Sequence, residues 1–133
     1  MENRKGHILF ADDDQDDIEL VSDAVLKRDG SILFHKVCNG RQAIDYLDGL
    51  TDGDLPGIII LDYNMPQLTG AEVLPLVCKG TRYKDIPKVI LSTSDAKFNI
   101  DECRSRGADE YFVKPATYRG LDELAEKILA LFT

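Results

Sequence analysis

The chain is predicted to fold as an α/β domain with a doubly wound parallel sheet, and two observations predict this class. Short apolar runs alternate with stretches whose apolar residues have helical spacing, and the alternation repeats five times. The third run is continuously apolar, as a strand covered on both faces should be. Parallel neighbours need crossover connections, which are nearly always right-handed, so we expect helices on both faces of one sheet.

Five apolar runs suit short strands. They span residues 7–11, 32–37, 57–61, 88–91 and 111–113. The second run is mixed and the fifth is brief, whereas the third reads GIIIL. Because only a central strand is buried on both faces along its length, the third run is expected at the centre of the sheet.

The segments between these runs carry helical patterns. The first shows Ile18, Val21 and Val25 on one face, and the acids within residues 14–17 supply capping oxygens and charge that suits a helix N-terminus. Helices near residues 41–48, 70–79 and 96–106 continue the alternation. The last helix has the clearest apolar stripe, which consists of Leu121, Leu124, Ala125, Ile128, Leu129 and Phe132.

Pro75 is discordant with the helix predicted around it. A proline beyond the first turn removes a backbone hydrogen bond and costs about 3 kcal/mol. We therefore expect this helix to start late or to kink.

Length and charge limit what the protein can do. A chain of 133 residues with 44% apolar residues can bury one core, so a single domain over residues 1–133 is expected. The net charge of −8 argues against nucleic acid or an anionic membrane as a partner, which leaves proteins. No apolar run approaches the ~20 residues of a membrane span or resembles a signal peptide, so a cytoplasmic location is expected.

The three cysteines do not indicate a disulfide framework. Cys38, Cys78 and Cys103 are odd in number, lie far apart and form no CxxC pair. Reduced thiols that pack in the interior are expected at all three positions.

Polar residues follow four of the five apolar runs, where an open α/β sheet places its functional crevice. Asp62 directly follows the central run, where a lone carboxylate would be costly without a positive group beside it. A solvated capping loop also explains the first acidic cluster, and a surface lysine before a turn also explains Lys114. The residues at these run ends are Asp12, Asp13, Asp14, Asp62, Asn64, Ser92, Thr93, Ser94, Lys114 and Pro115.

These run ends have the composition of a phosphoryl-transfer site. If the first and third strands are neighbours, Asp12 and Asp13 approach Asp62, and three carboxylates repel unless a divalent cation or protons neutralise them. Carboxylates with a backbone carbonyl suit Mg²⁺. Lys114 would add an ammonium group, and Ser92 or its neighbour a hydroxyl, while an Asp62 oxygen attacks in line.

The sequence resembles the receiver domains of two-component response regulators, including the chemotaxis response regulator and small stand-alone regulators. The resemblance is carried, in this order, by ILFADDD (8–14), ILDYNMP (60–66) with Gly70 four residues on, VILSTS (89–94) and GADEYFVKP (107–115). It implies a flavodoxin-like fold with strand order 2-1-3-4-5 and five helices. It also implies that Asp62 is the phosphoacceptor, that Asp13 and Asp62 bind Mg²⁺ directly, that Asp12 does so through water, and that Asn64 contributes its backbone carbonyl.

The same resemblance implies roles for the residues of the fourth and fifth run ends. Lys114 would contact the phosphoryl group, and Pro115 occupies the position of the family's cis-proline. Ser92 aligns with the switch hydroxyl, although a slip of one place would give that role to Thr93. Tyr111 aligns with the aromatic residue that rotates inward behind it, and an ordinary strand aromatic is the alternative.

The implied activity is signalling rather than turnover of an external substrate. A sensor histidine kinase or phosphotransfer protein would donate the phosphoryl group, and phosphorylation would shift the population between two arrangements. The signal would leave through helix four, strand five and helix five to a downstream protein, with homodimerisation as one option. Tyr63, Pro75 and residues 116–120 depart from the family pattern.

Three other functions are weighed against this one. A phosphohydrolase of the haloacid dehalogenase type needs a second carboxylate two residues after the nucleophile, where this chain has Asn64. A phosphorylation-independent interaction domain would not need the intact acids, hydroxyl and lysine. A Ser-His hydrolase is disfavoured because His7 and His35 lie away from the run ends.

Overall fold

The computed structural model describes residues 6–132 and contains the predicted doubly wound α/β fold. One parallel five-stranded sheet has the order β2-β1-β3-β4-β5, which confirms the predicted topology. The strands are β1 (His7–Ala11), β2 (Leu33–Val37), β3 (Ile58–Asp62), β4 (Lys88–Ser92) and β5 (Glu110–Val113).

Five α-helices alternate with the strands. They are α1 (Gln15–Arg28), α2 (Gly40–Asp48), α3 (Gly70–Cys78), α4 (Lys97–Ser105) and α5 (Tyr118–Leu129), and a short 3-10 helix (Asp52–Asp54) precedes β3. No helix in the described part of the chain is long and apolar enough to cross a membrane.

Two hydrophobic cores lie on the two faces of the sheet. Leu9 of β1 points into the core that includes residues of α2, α3 and α4, whereas its neighbours Ile8 and Phe10 point into the core that includes residues of α1 and α5. This alternation follows from the two-residue period of a strand. All five residues of β3 are buried, as predicted for the central strand.

The central strands extend one residue further than their apolar runs. β3 ends at Asp62, which pairs with Leu91, and β4 ends at Ser92, which pairs with Val113. The sheet's hydrogen bonding therefore fixes the backbone of two predicted site residues.

Helix α3 does not start late at Pro75. It begins at Gly70, where Thr69 and Glu72 form a reciprocal capping box. Pro75 lies inside the helix and cannot donate to the carbonyl of Ala71, four residues earlier. The Arg106 Nη1 group donates to this Ala71 oxygen instead, at 3.2 Å. A guanidinium from the end of α4 thus replaces the missing backbone donor.

The prediction that all three cysteines pack inside is wrong for two of them. Cys103 is buried on α4, but Cys38 and Cys78 are exposed, and all three thiols are free. Cys38 directly follows the edge strand β2, and Cys78 is the last residue of α3, so both lie where helix and sheet no longer cover the chain.

Candidate functional site

The predicted site residues meet at the carboxyl edge of the sheet. Asp12 follows β1, Asp62 ends β3, Ser92 ends β4 and Lys114 follows β5. Because these strands are parallel and adjacent, their ends lie side by side. The sheet order therefore brings residues that are distant in sequence to one crevice.

Three carboxylates form the centre of the site. Oxygens of Asp12, Asp13 and Asp62 lie within 4.8 Å of one another, and the first and third of these residues are buried while Asp13 is exposed. Burial and then the charge of Asp12 raise the pKa of Asp62 to about 7, against the lowering effect of Lys114. A free Asp62 carboxylate is thus poorly stabilised by the protein alone, which favours an added cation.

Lys114 places one ammonium group among three carboxylates. Its Nζ lies 3.0 Å from Asp12 Oδ2, 3.2 Å from Asp62 Oδ1 and 2.8 Å from Asp17 Oδ2. Burial by itself would lower the pKa of Lys114, but the hydrogen bond to Asp17 and the close carboxylates of Asp12 and Asp62 raise it above its ordinary value. The lysine is therefore held as a cation inside the crevice.

Asp17 is the site residue that the sequence reasoning missed. The sequence pattern indicates only that Asp17 adds negative charge at the N-terminus of α1, and nothing in its spacing distinguishes it from Asp16. Its contact with Lys114 spans 97 positions along the chain, so only the tertiary structure could show it.

The acid cluster fits a divalent cation. Asp12 Oδ1 accepts a hydrogen bond from the Asp14 backbone N–H at 2.9 Å. Asp12 Oδ2 is buried and has no hydrogen-bond partner of proper geometry in the described chain, although Lys114 lies in ion-pair contact with it. A buried carboxylate oxygen held by an ion pair alone is under-satisfied, and an all-oxygen set of this kind suits Mg²⁺.

The two candidate switch hydroxyls differ in burial. Ser92 is buried and its Oγ accepts from the Ser94 backbone N–H at 3.0 Å, whereas Thr93 is exposed. Tyr111 is buried and donates its hydroxyl to the Ser94 carbonyl at 2.8 Å. The loop after β4 is thus held by both predicted switch residues, and its position depends on them.

Two neighbouring positions carry further expectations from the resemblance. The side chain of Asn64 is exposed just beyond the end of β3, and the role of its backbone carbonyl as a metal ligand stays a prediction. The peptide bond before Pro115 is trans, like every other peptide bond in the described chain, so the expected cis-proline is not observed.

Tyr63 links the end of β3 to helix α4. Its hydroxyl donates to Glu102 Oε1 at 2.8 Å, and Asn99 Oδ1 lies 3.3 Å away. The hydrogen bond to Glu102 and burial raise the pKa of Tyr63 to about 12, so the phenol stays protonated. The residue after Asp62 is therefore attached to α4.

His7 lies at the amino end of β1 and His35 lies within β2, and both are away from the acid cluster. Tyr46 joins them: its hydroxyl is 3.1 Å from His7 Nε2, and its ring stacks on His35 with the ring centroids 3.6 Å apart. Both rings have packing roles in this arrangement.

Comparison with known proteins gives one consistent result. The family model for the response regulator receiver domain matches residues 8–128. The two-component response regulator ORR5 of Oryza sativa subsp. japonica is 31% identical over 125 residues, which cover 92% of this chain and 88% of ORR5.

Two solved structures share the fold. The phosphorylated cyanobacterial phytochrome response regulator RcpA superimposes with a TM-score of 0.84 and is 27% identical, covering 95% of this chain and 92% of its own. The Mn²⁺-bound form of response regulator Rcp1 has a TM-score of 0.78 and 26% identity, with 92% and 90% covered.

Proposed function

The chain belongs to the response regulator receiver domain family, and we propose that Asp62 is the phosphoacceptor of its phosphorylation switch, in a Mg²⁺-dependent reaction. One observation carries this proposal. A carboxylate that ends the buried central strand lies 3.2 Å from a lysine ammonium and within 4.8 Å of two further carboxylates. A nucleophile, a cation and a set of metal ligands are thereby in one crevice.

The proposed step is transfer from a phosphohistidine of a sensor kinase or phosphotransfer protein. An Asp62 oxygen attacks phosphorus, the phosphorus–nitrogen bond breaks, and its electron pair stays on the imidazole nitrogen. The Lys114 ammonium and the Ser92 hydroxyl donate to phosphoryl oxygens, where charge is spread in the transition state.

The metal ligands we propose are Asp12, Asp13, Asp62 and the backbone carbonyl of Asn64. A bound Mg²⁺ would neutralise phosphoryl oxygens and the carboxylates themselves. Asp12 Oδ2 supports this assignment, because it is buried and has an ion pair with Lys114 but no hydrogen bond in the described chain. So does the Mn²⁺-bound form of Rcp1, and the phosphorylated form of RcpA supports the phosphoryl acceptor.

The chain is proposed to act on itself rather than as an enzyme on external substrates. A phosphohydrolase would need an acid two residues after Asp62, and Asn64 offers only an amide there. The acyl phosphate would then persist as a signal until water removes it.

The output surface is proposed to be the face made by α4, β5 and α5. Each element exposes an apolar side chain: Phe98 is 76% exposed, Val113 43% and Tyr118 84%. Exposed apolar side chains of this size favour a protein partner, either a downstream target or a second copy of the chain. The cytoplasmic location stays a prediction.

The switch itself is proposed to act through the loop after β4. A phosphoryl oxygen on Asp62 would offer Ser92 a new acceptor, and the loop that Ser92 and Tyr111 hold would shift in population. The greater burial of Ser92 favours it over Thr93 for this role.

Intact mass after incubation with acetyl phosphate tests the chemistry. The wild type should gain one phosphoryl group only with Mg²⁺, and hydroxylamine should remove it. Asp62→Ala should gain none, whereas Asp95→Asn, which alters an exposed acid in the loop after β4, should behave as the wild type. An unmodified wild type under every condition would instead indicate a phosphorylation-independent interaction domain.

A further inference from the structure

Asp17 reaches the site from a helix rather than from a strand end. Its Oδ2 is 2.8 Å from Lys114 Nζ, and this is the shortest of the three ion pairs that the lysine forms in the described chain. The side chains of Lys114 and Asp17 are 11% and 31% exposed. The pair is therefore sheltered, and its charge-assisted hydrogen bond is stronger than one on an open surface.

We propose that Asp17 is a positioning residue, which keeps the Lys114 ammonium aimed at the phosphoryl group when the other carboxylates turn to the metal. This inference rests on the proposed function, because it takes Lys114 as the cation for a phosphoryl oxygen. It adds a residue to the phosphorylation machinery that the run-end pattern does not contain.

The three N–H groups of the lysine explain why such a residue is needed. In the described chain the ammonium lies within 3.2 Å of three carboxylates, its hydrogen bond of proper geometry is the one to Asp17, and it has no donors beyond these three N–H groups. Asp12 and Asp62 belong to the acid cluster proposed to bind the cation, whereas Asp17 does not. Metal binding would weaken the hold of the first two on Lys114 and leave Asp17 as its remaining carboxylate.

The flexible side chain of lysine makes this loss costly. Lysine has four rotatable side-chain bonds and loses up to ~2 kcal/mol of conformational entropy when it is fixed. The backbone of Lys114 is already fixed, since its N–H donates to the Ser92 carbonyl at 2.7 Å. What Asp17 adds is the position of the ammonium at the far end of the side chain.

Helix α1 holds Asp17 firmly enough for this role. The Asp17 N–H donates to the capping carboxylate of Asp14 at 3.3 Å, in the first turn of the helix. The next residue, Ile18, is 1% exposed in the core between α1 and the sheet. A rigid first turn thus sets the place of the Asp17 carboxylate relative to Lys114.

Asp16 offers a matched control. It is an acid in the same first turn, it is exposed, and it forms no ion pair with Lys114 in the described chain. Asp16→Asn and Asp17→Asn make the same change in net charge and in charge at the helix N-terminus. Only the second removes the carboxylate from the lysine.

The test measures the rate of phosphorylation by acetyl phosphate with saturating Mg²⁺. Asp17→Asn should reduce the maximal rate by about tenfold with little change in half-saturation by the donor, while Asp16→Asn stays within about twofold of the wild type. In a Lys114→Met background the Asp17 effect should disappear, since it acts through the lysine. Asp17→Ala should lose rate as Asp17→Asn does. A thermal melt of each variant should show that it remains folded at the assay temperature, so that the loss of rate does not come from unfolding.

The outcomes separate this inference from the proposed function. Equal rates for Asp17→Asn and Asp16→Asn, or an Asp17 effect that persists without Lys114, would overturn the positioning role and leave phosphorylation of Asp62 standing. A wild type that takes up no phosphoryl group would overturn both. A tenfold loss of maximal phosphorylation rate in Asp17→Asn that occurs only when Lys114 is present would support both.

Discussion

Replacing Arg106 with methionine should destabilise the protein by about 1–2 kcal/mol, because it leaves the Ala71 carbonyl without its donor. The contact is 3.2 Å long and partly buried. In the described chain this guanidinium also forms a salt bridge to Glu102 at 3.3 Å, between side chains that are 40% and 26% exposed. A pair this exposed contributes roughly 0–1 kcal/mol, so most of the cost should come from the carbonyl.

Pro75 makes this cost conditional. Pro75→Ala restores the backbone N–H that can donate to Ala71, and removing an interior helix proline should stabilise the protein by about 1–3 kcal/mol. With that donor present, Arg106→Met should destabilise the protein less. The two substitutions should therefore couple by about 1 kcal/mol in a double-mutant cycle.

Urea unfolding of the four proteins measures the coupling from their midpoints and slopes. Arg104→Met in both backgrounds is the control, because Arg104 lies in the last turn of α4, two residues before Arg106, but its ion pair is with Glu110 on β5, 3.8 Å away. Its effect should not depend on residue 75. If Arg106→Met lowers the free energy of unfolding by the same amount with proline and with alanine at position 75, the guanidinium does not replace the backbone donor.

Three further predictions concern the site and the sheet. Without divalent cations, Asp62→Asn should raise the melting temperature by roughly 5 °C at pH 8, on the order of 1 kcal/mol, and by less near pH 4. The reason is that the pKa of Asp62 is raised from 3.8 to about 7, so its ionisation destabilises the folded state as pH rises through that window. Burial lowers the pKa of His7 and His35 below the ordinary 6.5, so in the Asp62→Asn variant, which lacks the opposing effect of Asp62, stability should fall as pH drops below about 6.5, and a further His7→Gln should reduce this fall. Gly70→Ala should cost about 1–3 kcal/mol in urea, because its Cβ would lie 2.5 Å from the Asp62 carbonyl oxygen.

Each of these has a clear contrary result. Mg²⁺ should stabilise the wild type at pH 8 and not the Asp62→Asn variant, so equal stabilisation of both would place the cation elsewhere. A flat stability profile between pH 7 and pH 5 in the Asp62→Asn variant would show that the histidines titrate normally. An unchanged midpoint for Gly70→Ala would show that the loop after β3 moves freely away from the helix.

Much of the fold could be predicted because local patterns report burial directly. The continuous apolar run of β3 indicated a strand covered on both faces, and the spacing of apolar residues indicated each helix. Local patterns do not report where a strand ends, since hydrogen bonding to a neighbouring strand decides it. Asp62 and Ser92 belong to β3 and β4 for that reason and not through any apolar character.

The candidate site was predicted where its residues follow strands and was missed where a helix supplies them. Parallel strands end at one edge, so the alternation predicted a common edge for Asp12, Asp62 and Lys114, and the strand order implied by the resemblance made them neighbours. A helical side chain such as Asp17 points in a direction set by the packing of the whole helix on the sheet. Its neighbour Asp16 has the same charge and the same helix propensity, but its side chain is exposed to solvent.

The sequence by itself determined the fold class, the sheet centre and the set of acids, hydroxyl and lysine at the strand ends. The tertiary structure decided which partners those groups have: Asp17 for Lys114, Glu102 for Tyr63, and Arg106 for the carbonyl that Pro75 leaves free. Apolar periodicity is a property of neighbouring positions in the chain, so it can be read from the sequence. A hydrogen bond between residues 35 to 97 positions apart depends on the orientation of two packed elements, and only the folded chain sets that orientation.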